Sequence, residues 1–512
     1  MNPFFLCRLC VFPHNVVATT NTSGKEKKVL KSKAMHWLLL FLLTAQLRRA
    51  ASLSITSGNK DNKPESANSE RKDTIQRTGQ ERTLSSETTL PTIQQLGQDI
   101  DGAVPGDSLG YAVAISANGK RIVVGAPRSD GGHDVFSGQV TVYEWNGENW
   151  DQLGPAINAE APNDWFGKYV AMTPDGNRIA VGAPFNDSGN RVDKGHVRVF
   201  DWNNEEWVQV GQDIDGKQNA EQSGPVAISS NGKRLIVLAP YYDGVAGVNT
   251  GSARVYELQG DTWTQLGKDI EGVAPQEPYA QSVAMNAAGS RIAIGNAYND
   301  GVIFNGGQAR VFDWVGSSWE QVGDDIYGQE SNDLAGSSIT MSASGNRIAI
   351  GLPGHGEAGT VRVFDFIGNV WTQVGGDIDG EAVFGHRSGE EGNLAMSADG
   401  SRIVIGDEFN REFSVSAGHV RVFDLIEGAW TQVGPDIDGE ANADSSGIVA
   451  LSANGKRLVI GAPDNDGNGF NSGHVRVYEI ITDKDGGGGG DPHFFLWNKE
   501  RETFHGECDL VM

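Results

Sequence analysis

A unit of about 56 residues recurs seven times between Ile93 and Asp485, and a repeat of this length restricts the chain to a few architectures. The most regular part of the unit is the pattern W-x-Q-x-G, in which Ile93 replaces Trp in the first copy. The seven copies begin at Ile93, Trp150, Trp207, Trp263, Trp319, Trp371 and Trp430. Units that cannot bury their apolar faces alone must stack on their neighbours. The sequence therefore predicts a closed ring of seven units.

Each unit contains the signals of four short strands. An apolar run such as residues 282–285 is followed by a Gly-containing turn and a second run such as residues 291–295. Asn-Gly between apolar runs, as at Asn118-Gly119, is a strong hairpin signal. A third strand, such as residues 195–202, turns into the next W-x-Q-x-G strand. Four antiparallel strands per unit predict an all-β fold, a seven-bladed β-propeller.

The two ends of the repeat predict how the ring closes. The seventh unit ends at residues 475–479 with no W-x-Q-x-G strand after it, whereas Ile93 to Gly97 supplies such a strand before the first unit. We expect this N-terminal strand to pair into the last blade, because closure removes the two free edges of an open array.

The composition divides the chain into four predicted segments. They are a targeting segment (1–51), a disordered Ser/Thr-rich linker (52–91), the propeller (92–485), and a glycine linker followed by the start of a further module (486–512). The linker has almost no large apolar residue and so cannot bury a core.

An apolar run from Trp37 to Ala45 follows a basic stretch in the first segment. Its length is that of a secretory signal and is too short to cross a bilayer, and a short uncleaved anchor is the alternative. Met35 is an alternative start to Met1. We therefore expect a secreted or cell-surface protein with no transmembrane helix in this chain.

The charge argues against some classes of partner, and the cysteine content argues against disulfide bonds in the propeller. The formal net charge of -25 argues against nucleic acid or an anionic membrane as a partner. No Cys lies between Ile93 and Asp485, so packing and strand pairing must hold the ring.

Residues 164–171 followed by residues 181–184 resemble the FG-GAP repeat of integrin α-subunit propellers, which are also seven-bladed. The resemblance covers about residues 93 to 485. Calcium-binding repeats of that family carry D-x-[DN]-x-D-G-x-x-D between the two segments. Here the segment is a short hairpin that ends in Arg, so the family's calcium sites are not carried over.

The C-terminal residues 490–511 resemble the opening of a von Willebrand factor type D domain. The resemblance rests on Gly490-Asp491-Pro492-His493-Phe494, Trp497, Phe504-His505-Gly506 and Cys508. In that family the module is extracellular and serves assembly or adhesion. The resemblance implies that the chain is part of a larger surface or matrix protein.

One loop of the last unit is a calcium candidate. Asp464, Asp466 and Asn468 match the first half of an EF-hand-like loop, with oxygens at alternate positions. The twelfth position is Val475, where a bidentate Glu would be needed. A calcium site and an Asx-rich surface turn both remain open, and no other cofactor is predicted.

Charged residues recur with the repeat. Arginine recurs at two positions of the unit, acids recur at a third, and His196, His419 and His474 share one equivalent position. Rings of paired charges between blades explain this pattern, because charges inside a packed array must be matched. An anion site in the central channel is the alternative, and the histidines are interpreted as structural.

Binding residues are expected where the repeats diverge, because loops can vary on a fixed scaffold. The predicted ligand contacts are the loop aromatics Trp165, Tyr241, Tyr242, Phe304 and Phe409. Asn186 is a predicted glycosylation site, since Asn186-Asp187-Ser188 is a sequon.

The predicted function is that of a non-enzymatic extracellular module that binds a protein or glycan, in adhesion or extracellular matrix assembly. The regular D-I-D-G acids are explained as turn residues, and no nucleophile motif, zinc spacing or phosphate loop is present. Two alternatives stay open. One is a secreted carbohydrate-active enzyme with paired carboxylates, and the other is a structural wall component.

Overall fold

A computed structural model describes residues 92–130, 135–187, 192–274, 282–381, 393–408 and 416–481. Every regular element in these ranges is a β-strand, and none of them contains a helix that could span a bilayer. The strands form seven antiparallel sheets whose innermost strands contact one another around a common axis. The prediction of a seven-bladed β-propeller is confirmed.

The strands of each blade follow one another from the axis outward. The innermost are β3 (Ala112–Ile115), β8 (Tyr169–Met172), β13 (Val226–Ile228), β18 (Ser282–Met285), β23 (Ile339–Met341), β28 (Leu394–Met396) and β33 (Ile448–Leu451). The second are β4 (Arg121–Ala126), β9 (Arg178–Ala183), β14 (Arg234–Ala239), β19 (Arg291–Asn296), β24 (Arg347–Leu352), β29 (Arg402–Asp407) and β34 (Arg457–Ala462). The third are β5 (Gln139–Trp145), β10 (His196–Trp202), β15 (Ser252–Gln259), β20 (Gln308–Val315), β25 (Thr360–Ile367), β30 (His419–Ile426) and β35 (His474–Ile481).

The outer edge of each blade consists of two short strands that both pair with the third strand. The first of these are β1 (Thr92–Gln95), β6 (Trp150–Gln152), β11 (Trp207–Gln209), β16 (Thr262–Gln265), β21 (Ser318–Gln321), β26 (Val370–Gln373) and β31 (Ala429–Gln432). The two-residue strands that follow are β2 (Ile100–Asp101), β7 (Ile157–Asn158), β12 (Ile214–Asp215), β17 (Ile270–Glu271), β22 (Ile326–Tyr327), β27 (Ile378–Asp379) and β32 (Ile437–Asp438). The expected fourth strand is therefore divided in two.

The W-x-Q-x-G pattern explains this division. Gly211 has a φ of +74°, and a Cβ there would lie 2.7 Å from Cδ1 of Trp263 in the next blade. Only glycine fits both the conformation and the space. Gln209 spans the break, because its amide donates a 2.7 Å hydrogen bond to Asp213.

The Trp of the pattern joins neighbouring blades. Each Trp Nε1 donates to a backbone carbonyl of the preceding blade, at 2.9 to 3.0 Å, from Trp150, Trp207, Trp263, Trp319, Trp371 and Trp430. In the seventh blade Ile93 fills the position of the Trp, so no indole is present there to form this bond. The packing between blades is otherwise apolar, and the middle strands are buried on both faces, as with Ile179 and Val181 at 0% exposure.

The predicted closure is confirmed. Strand β1 pairs antiparallel with β35, with Thr92 opposite Ile481 and Gln95 opposite Tyr478. Ile93 packs against the apolar cluster between the sixth and seventh blades. The last blade is thus built from both ends of the described chain.

The hairpins between first and second strands lie at one end of the ring, here called the hairpin face. There Arg178 pairs with Asp201 of its own blade at 2.6 Å and donates to the carbonyl of Gly232 in the next blade. The same arginine-to-carbonyl bond occurs at all seven interfaces, at 2.6 to 3.3 Å. At this arginine position the charge pair therefore forms within a blade, and the arginine links blades through a carbonyl. At the second recurrent position the predicted pairing between blades is present, as with Arg198 and Glu160 at 3.3 Å.

Candidate functional site at the mouth of the channel

The opposite end of the ring, the loop face, opens into the central channel. One apolar residue from each innermost strand lines the channel: Val113, Val170, Val226, Val283, Ile339, Leu394 and Val449. They form part of the wall of a cavity of about 510 Å³. A cavity of this size accommodates a small ligand.

Four charged residues line this cavity: Arg128, Lys168, Glu408 and Asp464. Each breaks the repeat. Arg128 and Asp464 follow the second strand at a position that other blades fill with Phe185, Tyr241, Tyr298 and Gly354. Glu408 stands where five blades carry proline, at Pro127, Pro184, Pro240, Pro353 and Pro463. The cavity therefore has a charge pattern that the scaffold does not require.

Arg128 lies between the first, second and seventh blades. Its Nη1 is 3.9 Å from Oδ1 of Asp464 and donates a 3.3 Å hydrogen bond to the hydroxyl of Ser108. The guanidinium carbon is 5.7 Å from the ring centroid of Trp165. These contacts hold the positive charge at the cavity wall while leaving about a third of the side chain exposed.

Lys168 brings a second cation to the same wall. Its ammonium lies over the rings of Trp165, Tyr169 and Phe185, at 5.4 to 5.7 Å from their centroids. Trp165 itself has a φ of +55° and packs edge-on against Phe185 at 5.2 Å. Contacts of a cation with aromatic faces are attractive, so this aromatic group fixes where the lysine lies.

Hydrogen bonds to both of its carboxylate oxygens orient Asp464. The Ser445 hydroxyl donates to Oδ2 at 2.9 Å, and the Asn471 amide donates to Oδ1 at 3.0 Å. With Glu408 it gives the cavity two carboxylates beside two cations. Such a set can bind an anionic group and also supply an acid and a base for proton transfer.

A further carboxyl with a shifted pKa lies behind this wall. Burial raises the pKa of Asp107 to about 6, repulsion from Asp130 adds to the increase, and a hydrogen bond with Ser129 opposes it. Asp107 adjoins Ser108, the hydroxyl that Arg128 contacts. The charge behind the arginine therefore changes over the mildly acidic range.

The structure does not bring the predicted aromatic contacts together. Of the four predicted aromatics that the structure describes, Trp165 contacts the charged cavity residues, because its ring lies against Arg128 and Lys168. Tyr242 lies against Arg254 at 4.8 Å within the third blade, Tyr241 is 37% exposed and Phe304 is 62% exposed. The predicted contact at position 409 lies outside the described residues.

The three residues of the calcium candidate are engaged in separate hydrogen bonds. Asp464 accepts from Ser445 and Asn471, Asp466 accepts from the Asn471 backbone N–H at 2.8 Å, and the Asn468 amide donates to the Gly102 carbonyl at 3.1 Å. This is the pattern of an Asx-rich turn. Calcium binding there stays a prediction.

The predicted glycosylation site is buried. Asn186 is 5% exposed, and its amide donates to Asp164 at 3.1 Å. Burial raises the pKa of Asp164, and this hydrogen bond opposes the shift. A glycan on Asn186 would require this bond to open, and glycosylation also stays a prediction.

Arg128, Lys168 and Glu408 are not among the contacts predicted from the sequence. Their signal was divergence between repeats, at the proline of the Ala-Pro pair, at the position after it and just before the innermost strand. The predicted contacts were divergent aromatic residues of the loops and not divergent charged residues. The position of Arg128 beside Asp464 also depends on ring closure, which joins the first blade to the last.

No family model matches the chain, and no curated protein matches it. Among solved structures, it is similar to a candidate 6-phosphogluconolactonase from Bacteroides uniformis, at 14% identity and a TM-score of 0.47, over 72% of this chain and 96% of that one. It is similar to hydrazine synthase from Kuenenia stuttgartiensis at 14% identity and a TM-score of 0.49, over 76% and 99%. A periplasmic gluconolactonase from Pseudomonas aeruginosa aligns at 16% identity and a TM-score of 0.44, over 64% and 88%.

These likenesses correct one expectation. The prediction that the chain is not an enzyme is contradicted by the names of two of the three similar structures, which are those of lactonases. The lack of a known catalytic motif was not a sufficient reason to exclude catalysis. At 14 to 16% identity and TM-scores of 0.44 and 0.47, no lactonase activity is carried over to this chain. The FG-GAP likeness remains a resemblance, and residues 490–511 lie outside the described ranges.

Proposed function

We propose that this propeller is a carbohydrate-active enzyme that binds an anionic sugar at the loop-face mouth of the channel and hydrolyses it there. The observation that carries the proposal is the convergence of Arg128, Lys168, Glu408 and Asp464 on one cavity, each at a position where the repeat is broken. A residue that recurs in every blade serves the ring, whereas a residue found in one blade needs another explanation.

The two cations favour an anionic ligand. Arg128 presents a planar guanidinium, which suits a carboxylate or phosphate, and Lys168 adds a point charge on the same wall. The chain as a whole is acidic, with a formal net charge of -25, so two cations at one mouth form a local exception. The neighbouring Tyr111 and Tyr169 offer apolar faces for a sugar ring.

The two carboxylates supply the hydrolytic chemistry. Glycoside hydrolysis requires one carboxyl to protonate the leaving oxygen and another to act as base or nucleophile. Asp464 and Glu408 are the acidic residues on the cavity wall. We assign these roles to the pair without dividing them. An extracellular site of action, proposed from the apolar run before Ala45, would expose the enzyme to polysaccharides.

The test is incubation of the purified full chain with polyuronates and with neutral polysaccharides, followed by measurement of released reducing ends. Release from the anionic polymers is expected, with at least a hundredfold loss in Asp464→Asn and in Glu408→Gln. Phe304→Ala is the control, because Phe304 lies outside the cavity lining and is 62% exposed.

Retention on an anionic polymer without release would overturn the enzymatic proposal and favour adhesion or matrix binding instead. Release that is unaffected by Asp464→Asn and Glu408→Gln would place the chemistry elsewhere. Preference for neutral polymers would contradict the role of Arg128 and Lys168.

A further inference from the structure

Three interfaces between blades share a cluster of one histidine and two carboxylates. They are Glu160 with His196 and Asp213, Glu381 with His419 and Asp436, and Glu440 with His474 and Asp99. In each cluster the His and Asp belong to one blade and the Glu to the preceding blade. The candidate ligand atoms of each cluster lie within 4.8 Å of one another.

The histidine and the glutamate occur together or not at all. At the other four interfaces the position of the His is filled by Gln139, Ser252, Gln308 and Thr360, and that of the Glu by Ala103, Lys217, Val273 and Gln329. The aspartate does not follow this pairing, because it is also present at three interfaces without histidine, as Asp269, Asp325 and Asp377. The pairing of His with Glu across a blade boundary indicates a shared role.

At interfaces without histidine, the second oxygen of the aspartate has a donor. Oδ2 of Asp269 accepts from Arg254 and from the ammonium of Lys217, both at 2.9 Å, and Oδ2 of Asp325 accepts from Gln308 at 2.6 Å. Arg362 donates to Oδ2 of Asp377 at 2.8 Å. The fold therefore places a donor or a fixed cation against this oxygen.

At the histidine interfaces the same oxygen lacks such a donor. Among the described residues, none donates a hydrogen bond to Oδ2 of Asp99, Asp213 or Asp436, whereas Gln95 and Gln209 donate to Oδ1 of Asp99 and Asp213. These aspartates are partly exposed, so this oxygen is open to water or to a cation held between the three side chains.

The imidazoles of His196 and His474 are almost completely buried. His196 is 1% exposed and His474 is 2% exposed, and Nε2 of each has no hydrogen-bond partner in the described part of the chain. Nδ1 of His474 is 3.9 Å from Oε2 of Glu440. This separation is too long for a hydrogen bond and close to the edge of about 3.4 Å of a tetrahedron with ligand bonds near 2.1 Å.

An arginine binds the other oxygen of the glutamate. Nη1 of Arg476 is 3.5 Å from Oε1 of Glu440, while Oε2 is directed toward His474. Arg198 contacts Oε1 of Glu160 in the same way at 3.3 Å.

We propose that each of these three interfaces binds one divalent transition-metal ion, best represented by Zn²⁺, through the His and Asp of one blade and the Glu of the preceding blade. Mixed imidazole and carboxylate ligands suit this class of ion. The ion fastens two blades together, as Lys217 does at the interface of the second and third blades. A fourth group, with His355, is not included because its Nδ1 is already 3.0 Å from Asp333.

The test measures Zn²⁺ retained by the full chain after chelation, reloading and gel filtration. About three ions per chain are expected, falling by about one in His196→Gln and by another in His474→Gln. Glutamine is the matched replacement, because Gln139 and Gln308 occupy this position in other blades. Zn²⁺ should also raise the melting temperature of the parent chain more than that of the double variant.

A gain-of-site variant separates a metal site from general carboxylate binding. Val273→Glu combined with Gln308→His completes the cluster around Asp325 and should add one ion, whereas Gln308→His alone should add none. Retention below about 0.3 ions per chain would overturn the proposal, as would retention that the His196→Gln and His474→Gln changes leave unaltered. Sugar hydrolysis does not enter this readout, so the result is independent of the proposed function.

Discussion

The two faces of the ring are built from the same repeats and differ in how closely they follow them. On the hairpin face, an arginine linked to the next blade recurs at all seven interfaces. On the loop face, equivalent positions carry Arg128, Phe185, Tyr241, Tyr298, Gly354 and Asp464. Repetition therefore marks what every blade needs, and its interruption marks what only one place in the ring needs.

The hairpin face should respond to substitution through stability. Arg402 is 8% exposed, pairs with Asp424 through bonds of 2.6 and 2.9 Å, and donates to Gly455 of the next blade. Arg402→Met leaves the acid and the carbonyl without this partner, so we expect a loss of about 3 kcal/mol in the free energy of unfolding. Denaturant titration measures it.

Arg402→Lys serves as the control for this change. It keeps the charge but loses the two-pronged geometry, so an intermediate loss is expected. Binding at the loop face should be unchanged in both variants. A loss below about 1 kcal/mol in Arg402→Met would show that the ring of arginines contributes little to the scaffold.

The loop face should respond through binding. Lys168→Met keeps an unbranched side chain and removes the charge, so we expect an anionic oligosaccharide to bind at least tenfold more weakly, or about 1.4 kcal/mol. The free energy of unfolding should change by less than about 1 kcal/mol, because contacts of an ammonium with aromatic rings are weak where the side chain is only partly buried. Calorimetric titration gives the loss of binding free energy, and denaturant unfolding gives the loss of stability. Equal losses in the two would contradict the difference proposed between the two faces.

A smaller effect is expected from Asp107 near the loop face, in the pH dependence of the free energy of unfolding. The folded-state pKa of Asp107 is raised to about 6 from 3.8, so its stabilising contribution is complete below 3.8 and is lost as pH rises through 6. Asp107→Asn should therefore stabilise the protein at pH 7 relative to the parent and flatten its stability profile between pH 4 and 6. Because the carboxyl is only half-buried, solvent screening limits the gain to about 1 kcal/mol. Melting curves across this range would contradict the assignment if the two profiles were parallel.

The smallest effect is expected at the rim of the fourth blade. Tyr298 occupies the position of Arg128 but is 42% exposed and does not line the cavity. Tyr298→Ser should change stability by less than about 0.5 kcal/mol and leave sugar binding unaltered. A binding loss equal to that of Arg128→Ser would extend the site around the whole rim.

Most of the fold could be predicted from the sequence, because its signals are local and repeated. Asn118-Gly119 indicates a hairpin without reference to the rest of the chain, and Ile93 indicates closure because the seventh unit lacks this strand. The break in the fourth strand was less evident. It depends on Gly211 facing a Trp of the next blade, a contact between units.

The candidate site was harder to predict from the sequence, because its residues are distant from one another in the chain. Ring closure brings the first blade against the seventh, so that Arg457 donates to the carbonyl of Gly119, 338 positions away, and Arg128 lies 3.9 Å from Asp464. Composition and spacing contain no measure of such distances. The histidines were interpreted as structural for the same reason, since Glu160 reaches His196 only across a blade boundary.

The pairing of Thr92 with Ile481 places both ends of the described chain at one end of the ring. These residues stand at the end of β35 near the hairpins, where the Ile480 backbone N–H donates to the carbonyl of Lys456. The described chain thus enters and leaves the ring on the same side. A rigid tether joined directly at Thr92 or Ile481 would hold the hairpin face toward its anchor and direct the channel mouth away from it, so immobilisation at these two positions should leave the proposed site accessible.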